Sequence, residues 1–179
     1  MKFKYKLRGL WEEIKLKARV VAAAVSAPWI GDVTPVGRLY VTKVSASGSR
    51  EELGLVSTKV VTDAGVNYLV DVLQGLQTAS VFSFHGSGTG TTAEAVGQTT
   101  LVTEIGSRTN GTKIEGASAN IYRTVGTISY GGTFAVTEHG IFSASTSGTL
   151  LDRSVFAAIN VINGDSIEFT YDLTLPSGS

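Results

Sequence analysis

Residues Ser166–Leu175 read SIEFTYDLTL, and in them Ile167, Phe169, Tyr171, Leu173 and Leu175 alternate without a break with Ser166, Glu168, Thr170, Asp172 and Thr174. Successive side chains of a strand project to opposite faces, so this pattern builds one apolar wall of a core and one wet surface. Just upstream, Asn163-Gly164-Asp165 is a turn signal, Leu150 to Val161 is a long β stretch, and Ser147-Gly148 is another turn. Ala119 to Tyr130 leads through Gly131-Gly132 into Thr133 to Val136, where consecutive glycines predict a hairpin with a primed turn. Strands separated by turn signals at intervals of roughly 8–12 residues predict a mainly β fold. An antiparallel β-sandwich is expected, with a jelly roll as one form it could take.

The N-terminal half fits the same architecture. Arg38 to Val44 and Leu53 to Val61 are β-rich runs either side of a Ser/Gly-rich break at Ser45 to Ser49, which predicts a hairpin or two adjacent strands. A helix is predicted over 63–74. Thr62 or Asp63 can cap its first turn, Val66, Leu69, Val70 and Leu73 form an i, i+3, i+4, i+7 stripe, and Gly75 supplies a left-handed stop. Its apolar stripe is expected to cover an open end or face of a sheet. Val81 to Phe84 reads as a short strand. The chain of 179 residues without cysteine can bury a core without disulfides or thiolate-bound metal. Two regions follow: a β-sandwich domain over 31–179, including the helix, and a preceding arm over 1–30.

The formal net charge of zero hides an asymmetry. Met1 to Arg19 carries seven basic residues against Glu12 and Glu13, a balance of +5 that leaves −5 for the rest. Lys2, Lys4, Lys6, Arg8, Trp11, Lys15, Lys17, Arg19 and Trp29 are therefore the candidate partner-binding residues. Leu10, Ile14, Ala18, Val21 and Val25 recur at helical spacing, which predicts an amphipathic helix closed by Pro28. Its charges interrupt any apolar run, so neither a membrane span nor a signal peptide is expected. A basic arm can dock on an acidic protein surface, an anionic membrane or nucleic acid, and charge alone does not choose among them. Its Ala/Val-rich face would anchor weakly in lipid; packing on its own body or a neighbouring subunit is favoured.

Catalytic chemistry finds little support. The loop GSGTGTT (Gly86–Thr92) spaces its glycines G-x-G-x-G, without the phosphate-binding G-x-G-x-x-G or a Walker Lys, and reads as a tight surface turn in which glycine supplies positive φ. His85 and His139, with Glu138 or Glu104, could be imagined as a metal set. Adjacent strand residues face opposite ways and no HExxH-type spacing is present, so structural histidines are expected. No cofactor is expected, and no serine sits in a nucleophile elbow.

Several segments together resemble a family of structural proteins of tailed bacteriophages. They are VVTDAGVNYLVDVLQG (Val60–Gly75), HGSGTGTTAEAVGQTTLVTE (His85–Glu104), NIYRTVGTISYGGT (Asn120–Thr133), EHGIFSASTSGTLLDRSVF (Glu138–Phe156) and GDSIEFTYDLTLPSG (Gly164–Gly178). The resemblance covers about two-thirds of the chain and leaves out the basic first 30 residues. It implies a non-enzymatic virion protein, assembled in the host cytoplasm and most in keeping with a capsid decoration or cement protein that clamps the major capsid protein or another virion protein. A homo-oligomer is implied, with a trimer favoured, and no specific nucleic-acid recognition or membrane span. A similar helix and GTGTT loop occur in phage tail proteins, so a fibre-attachment or baseplate component is the alternative. A carbohydrate-binding module is a third reading, disfavoured because Trp11 and Trp29 both lie outside the β region.

Overall fold

β9, Ser166–Thr174, is the middle strand of the larger of two antiparallel sheets. The computed structural model describes residues 34–58, 60–78 and 82–176, which belong to one unit, Thr34–Pro176. β9 pairs along its whole length with β1 (Val36–Val44) on one side and β6 (Ile121–Ser129) on the other. β2 (Arg50–Ser57) and β5 (Thr112–Glu115) form the edges, in the order β2-β1-β9-β6-β5. The second sheet runs β4-β3-β7-β8, from β3 (Phe84–Gly88), β4 (Glu104–Asn110), β7 (Phe134–Phe142) and β8 (Leu150–Val161).

The two sheets pack as a sandwich. Ile167, Phe169, Tyr171 and Leu173 of β9 join Leu39, Val41 and Ile128 in one wall, and Val136, Ile141, Phe156 and Ile159 supply the other. The alternation of β9 thus sets its burial, although Leu175 lies past the strand and is exposed. On the outer face Asp172 is also buried, held by Arg123 through two hydrogen bonds of 2.6 Å.

Connectivity departs from the expectations in two places. Sequence-adjacent strands pair within a sheet, β1 with β2, β3 with β4, β5 with β6 and β7 with β8, and the chain changes sheet between pairs. A jelly roll instead sends successive strands to opposite sheets, so this sandwich is not of that form. Gly131-Gly132 makes no hairpin: it carries the chain from β6 in one sheet to β7 in the other, and neither glycine has positive φ. The β1–β2 hairpin, by contrast, is present, closing at Val44↔Arg50.

The helix α1 spans Asp63–Leu73. Thr62 caps it by accepting from the Gly65 amide at 3.0 Å, while its hydroxyl donates to the Leu150 carbonyl at 2.5 Å. Two more bonds, Thr62 N–H to Leu151 O and Arg153 N–H to Val60 O, lay residues 60–62 along the free edge of β8. Gly65 lets α1 come this close, since a Cβ there would stand 2.8 Å from Leu151 Cα. The packed face is Gly65, Tyr68 and Leu69, with Tyr68 edge-on to Phe82 at 5.1 Å. Of the expected core-facing stripe only Leu69 packs; Val66, Val70 and Leu73 point outward. Gly75, at φ +73°, ends the helix as expected. Among the described residues no helix is long and apolar enough to cross a membrane.

Candidate functional site

Two buried polar clusters flank β7, one on each of its faces. Toward the core, His85 on β3 and His139 on β7 meet with Nδ1 of the first 3.0 Å from Nε2 of the second. His85 Nε2 reaches across the sandwich to Thr124 Oγ1 at 3.2 Å. The facing strand leaves room only because it carries Gly126, where a Cβ would fall 2.5 Å from the His85 ring. His139 stacks on Phe169 at 4.4 Å, and its Nδ1 has no hydrogen-bond partner. A buried N–H is more costly to leave unbonded than a lone pair. We therefore assign the proton of His139 to Nε2, donating to His85, and that of His85 to Nε2, donating to Thr124. Burial holds His85 down at about 3, and burial together with the neighbouring His85 holds His139 well below the ordinary imidazole value, so both rings are neutral.

The same layer contains Asp152, whose carboxylate accepts from Tyr171 and from Ser154, each at 3.3 Å. Burial pushes its carboxyl well above the usual range, against the two hydrogen bonds. Tyr130 donates to Ser87 at 3.0 Å, and burial raises its hydroxyl to about 12.

On the outer face of β7, Glu138 and Arg153 form a fully buried ion pair. Arg153 Nε donates to Glu138 Oε2 at 2.9 Å, while Nη2 lies 2.7 Å from the same oxygen without hydrogen-bond alignment. The pair clamps the segment 89–103 over the sheet. Glu138 accepts from the amides of Gly90 (3.0 Å), Val102 (3.1 Å) and Thr103 (2.7 Å), and Arg153 Nη1 donates to Thr92 O and Gln98 Oε1, both at 3.0 Å. Burial by itself would raise the Glu138 carboxyl; the Thr103 and Val102 amides and the Arg153 guanidinium outweigh it and hold it below the ordinary value. Leu101 seals the cover against Phe142 and Leu150.

This geometry corrects the reading of the glycine loop. Gly86 and Gly88 lie on β3, Gly88 and Gly90 are buried, and neither has positive φ. Glycine is needed because a Cβ at either position would collide with the Glu138 carboxylate. Gly86–Gly90 thus belongs to a strand and a largely buried clasp and is no surface turn; Thr91 and Thr92 beyond it are exposed.

The imagined metal set divides between the clusters. His85 and His139 do meet, but Glu138 faces the other way into its ion pair, and Glu104 is held by Arg108 through bonds of 2.6 and 2.9 Å. Among the described residues no group of three or more potential ligands converges on a metal position. Arg108 also covers Phe142, its guanidinium carbon 3.3 Å from the ring centroid, and so ties β4 to the β7–β8 connection. The roles of Arg153, Asp152 and Tyr171 went unread in the sequence; the one available signal was LLDRS, charge set inside an apolar run.

The open surfaces lie elsewhere. Leu53, Val56, Phe156, Ala157, Ala158 and Ile159 line an apolar groove of about 250 Å³ between the edge strands β2 and β8. A polar concavity of about 290 Å³ on the outer face of the larger sheet includes Tyr40, Glu52, Arg123 and Glu168. Two of its charges are already engaged, Glu168 by Arg50 and Arg123 by Asp172. All nine candidate partner-binding residues, Lys2, Lys4, Lys6, Arg8, Trp11, Lys15, Lys17, Arg19 and Trp29, lie outside the described residues.

No family model, curated protein or solved structure matches the chain.

Proposed function

We propose that this chain is a non-enzymatic structural component of a tailed-phage virion, of the decoration or cement kind, that binds the major capsid protein or another virion protein. The observation that carries this reading is the Glu138–Arg153 clasp. It joins the two segments on which the resemblance most depends, His85–Glu104 and Glu138–Phe156, into one internal framework. A motif used to brace a sheet leaves the outer surfaces for partners. The histidines, the chain's readiest acid–base groups, are closed from solvent and bonded to each other.

The mechanism is mass action. A subunit that binds only the assembled lattice stabilises that lattice by its binding free energy. Repetition over many sites, with the basic arm reaching between neighbours, multiplies a modest affinity. A homotrimer at local threefold positions fits this use, since symmetry repeats one contact three times.

Imaging of intact particles from the encoding phage, with this protein labelled, tests the reading. Label over the whole head is expected. Label at one vertex or along the tail would replace decoration by the tail-component alternative, and absence from purified particles would overturn the virion assignment.

A further inference from the structure

The unpartnered face of α1 is the least expected surface of the domain. Val66, Val70 and Leu73 are 37%, 43% and 87% exposed, and Leu76 beyond the helix is 69% exposed. At 3.6 residues per turn the first three lie within roughly 60° of arc, a face that adjoins the packed Leu69 on one side and turns away from Gly65 and Tyr68, which meet the sandwich. Exposed Val96 extends this surface at the start of α1, where its carbonyl accepts from the Asp63 amide at 2.9 Å. The helix carries Asp63 and Asp71 but no base, and its last turn, the negative end of the helix dipole, has no basic residue. A fitting occupant is apolar on one side and basic on the other.

The chain contains one such segment. In its sequence Leu10, Ile14, Ala18, Val21 and Val25 recur at helical spacing, and Lys15, Lys17 and Arg19 outnumber Glu12 and Glu13, for a net charge of +1. We propose that the outward face of α1 is the seat for segment Leu10–Val25 of a second copy of this chain. The proposal rests on the reading above of a protein that works in many copies, and it names one contact between them. The nine residues from Ser26 to Thr34 can span about 30 Å when extended, enough to pass from one copy to the next. Pairing α1 with another α1 instead would set Asp63 and Asp71 against their equivalents with no base on either helix.

The absence of cysteine makes the test clean. Full-length Ile14→Cys and Leu73→Cys variants are prepared separately, mixed and mildly oxidised. The mixed disulfide should exceed either homodisulfide several-fold, and Val70→Glu in the Leu73→Cys chain should abolish the preference without altering the far-UV spectrum. A Lys113→Cys chain, cysteine on exposed β5, sets the background for random collision. Dominant Leu73→Cys homodimers would overturn the proposal in favour of α1 self-pairing. A doubly substituted chain that closes on itself as a monomer, or a mixed yield at background, would overturn it too. Particle localisation is unaffected by these outcomes, so the seat can fail while the virion reading stands.

Discussion

Glu138 has no room to be anything but a clasp: its two oxygens, themselves closed from solvent, serve three backbone amides and one guanidinium. Glu138→Ala would leave Arg153 buried without its partner, and breaking a buried pair in this way costs about 3–5 kcal/mol. Denaturant unfolding should show that loss, with earlier protease cutting in 89–103 as the lid lets go. Gly90→Ala should also destabilise, through collision with the carboxylate and not through φ; pairing it with Glu138→Ala should give a combined loss smaller than the sum, because the shorter residue removes the obstacle. The titrations carry definite signs. His85 and His139 have folded values below the ordinary 6.5, so below pH 6.5 the unfolded chain takes up protons that the fold refuses, for His85 down to about 3. Their contribution is whole above pH 6.5 and falls with acid, by up to about 1.4 kcal/mol per pH unit for each titrating ring. Glu138, also held low, adds to the acid loss below about its ordinary 4.5. Asp152 acts oppositely: its raised folded value means that its favourable contribution is present below the ordinary 3.8 and is lost as pH rises through the folded value. Asp152→Asn should therefore gain stability relative to the parent chain as pH rises, measured as a widening difference in melting temperature.

At the scale of elements, α1 depends on Thr62, which both caps the helix and donates to the buried Leu150 carbonyl. Thr62→Ala should cost about 1–2 kcal/mol in chemical denaturation. Leu69→Ala should cost more than Val70→Ala, since Leu69 packs on the core and Val70 faces outward. The helix itself was legible, with its cap and Gly75 stop, but its orientation was not: apolar residues occupy both the packed and the open sides, so periodicity alone chose the wrong stripe. β9, β8 and β1 were legible for the opposite reason, their alternation or unbroken apolar runs being bounded by clear turns. β4 and β5 escaped notice because EIGSRTN and TKIE carry few apolar side chains and lie largely exposed. The crossing at Gly131-Gly132 was hidden because a glycine pair permits a hairpin turn without requiring one. His85 and His139 stand 54 residues apart, and Glu138 and Arg153 sit on two strands, diagonally across the pairs Glu138↔Val155 and Gly140↔Arg153. No local pattern could have joined either pair.

For the molecule as a whole, the physical contrast is between a closed interior and an open exterior. The described domain uses charge for internal bracing, through the buried pair Glu138–Arg153 and the partly exposed pairs Arg123–Asp172 and Arg108–Glu104. Outward it presents the α1 stripe and the Leu53–Phe156 groove. Under the proposed reading the chain holds other surfaces together, and its effect would be read as stability of the assembly it joins. The most direct measurement compares the temperature at which phage particles release their DNA with and without this protein, then after adding the purified full-length chain back. Particles lacking it should release DNA at a lower temperature, and added protein should bind saturably and restore the higher one. Unchanged release temperature, with no binding of the added chain to the particles, would contradict the account.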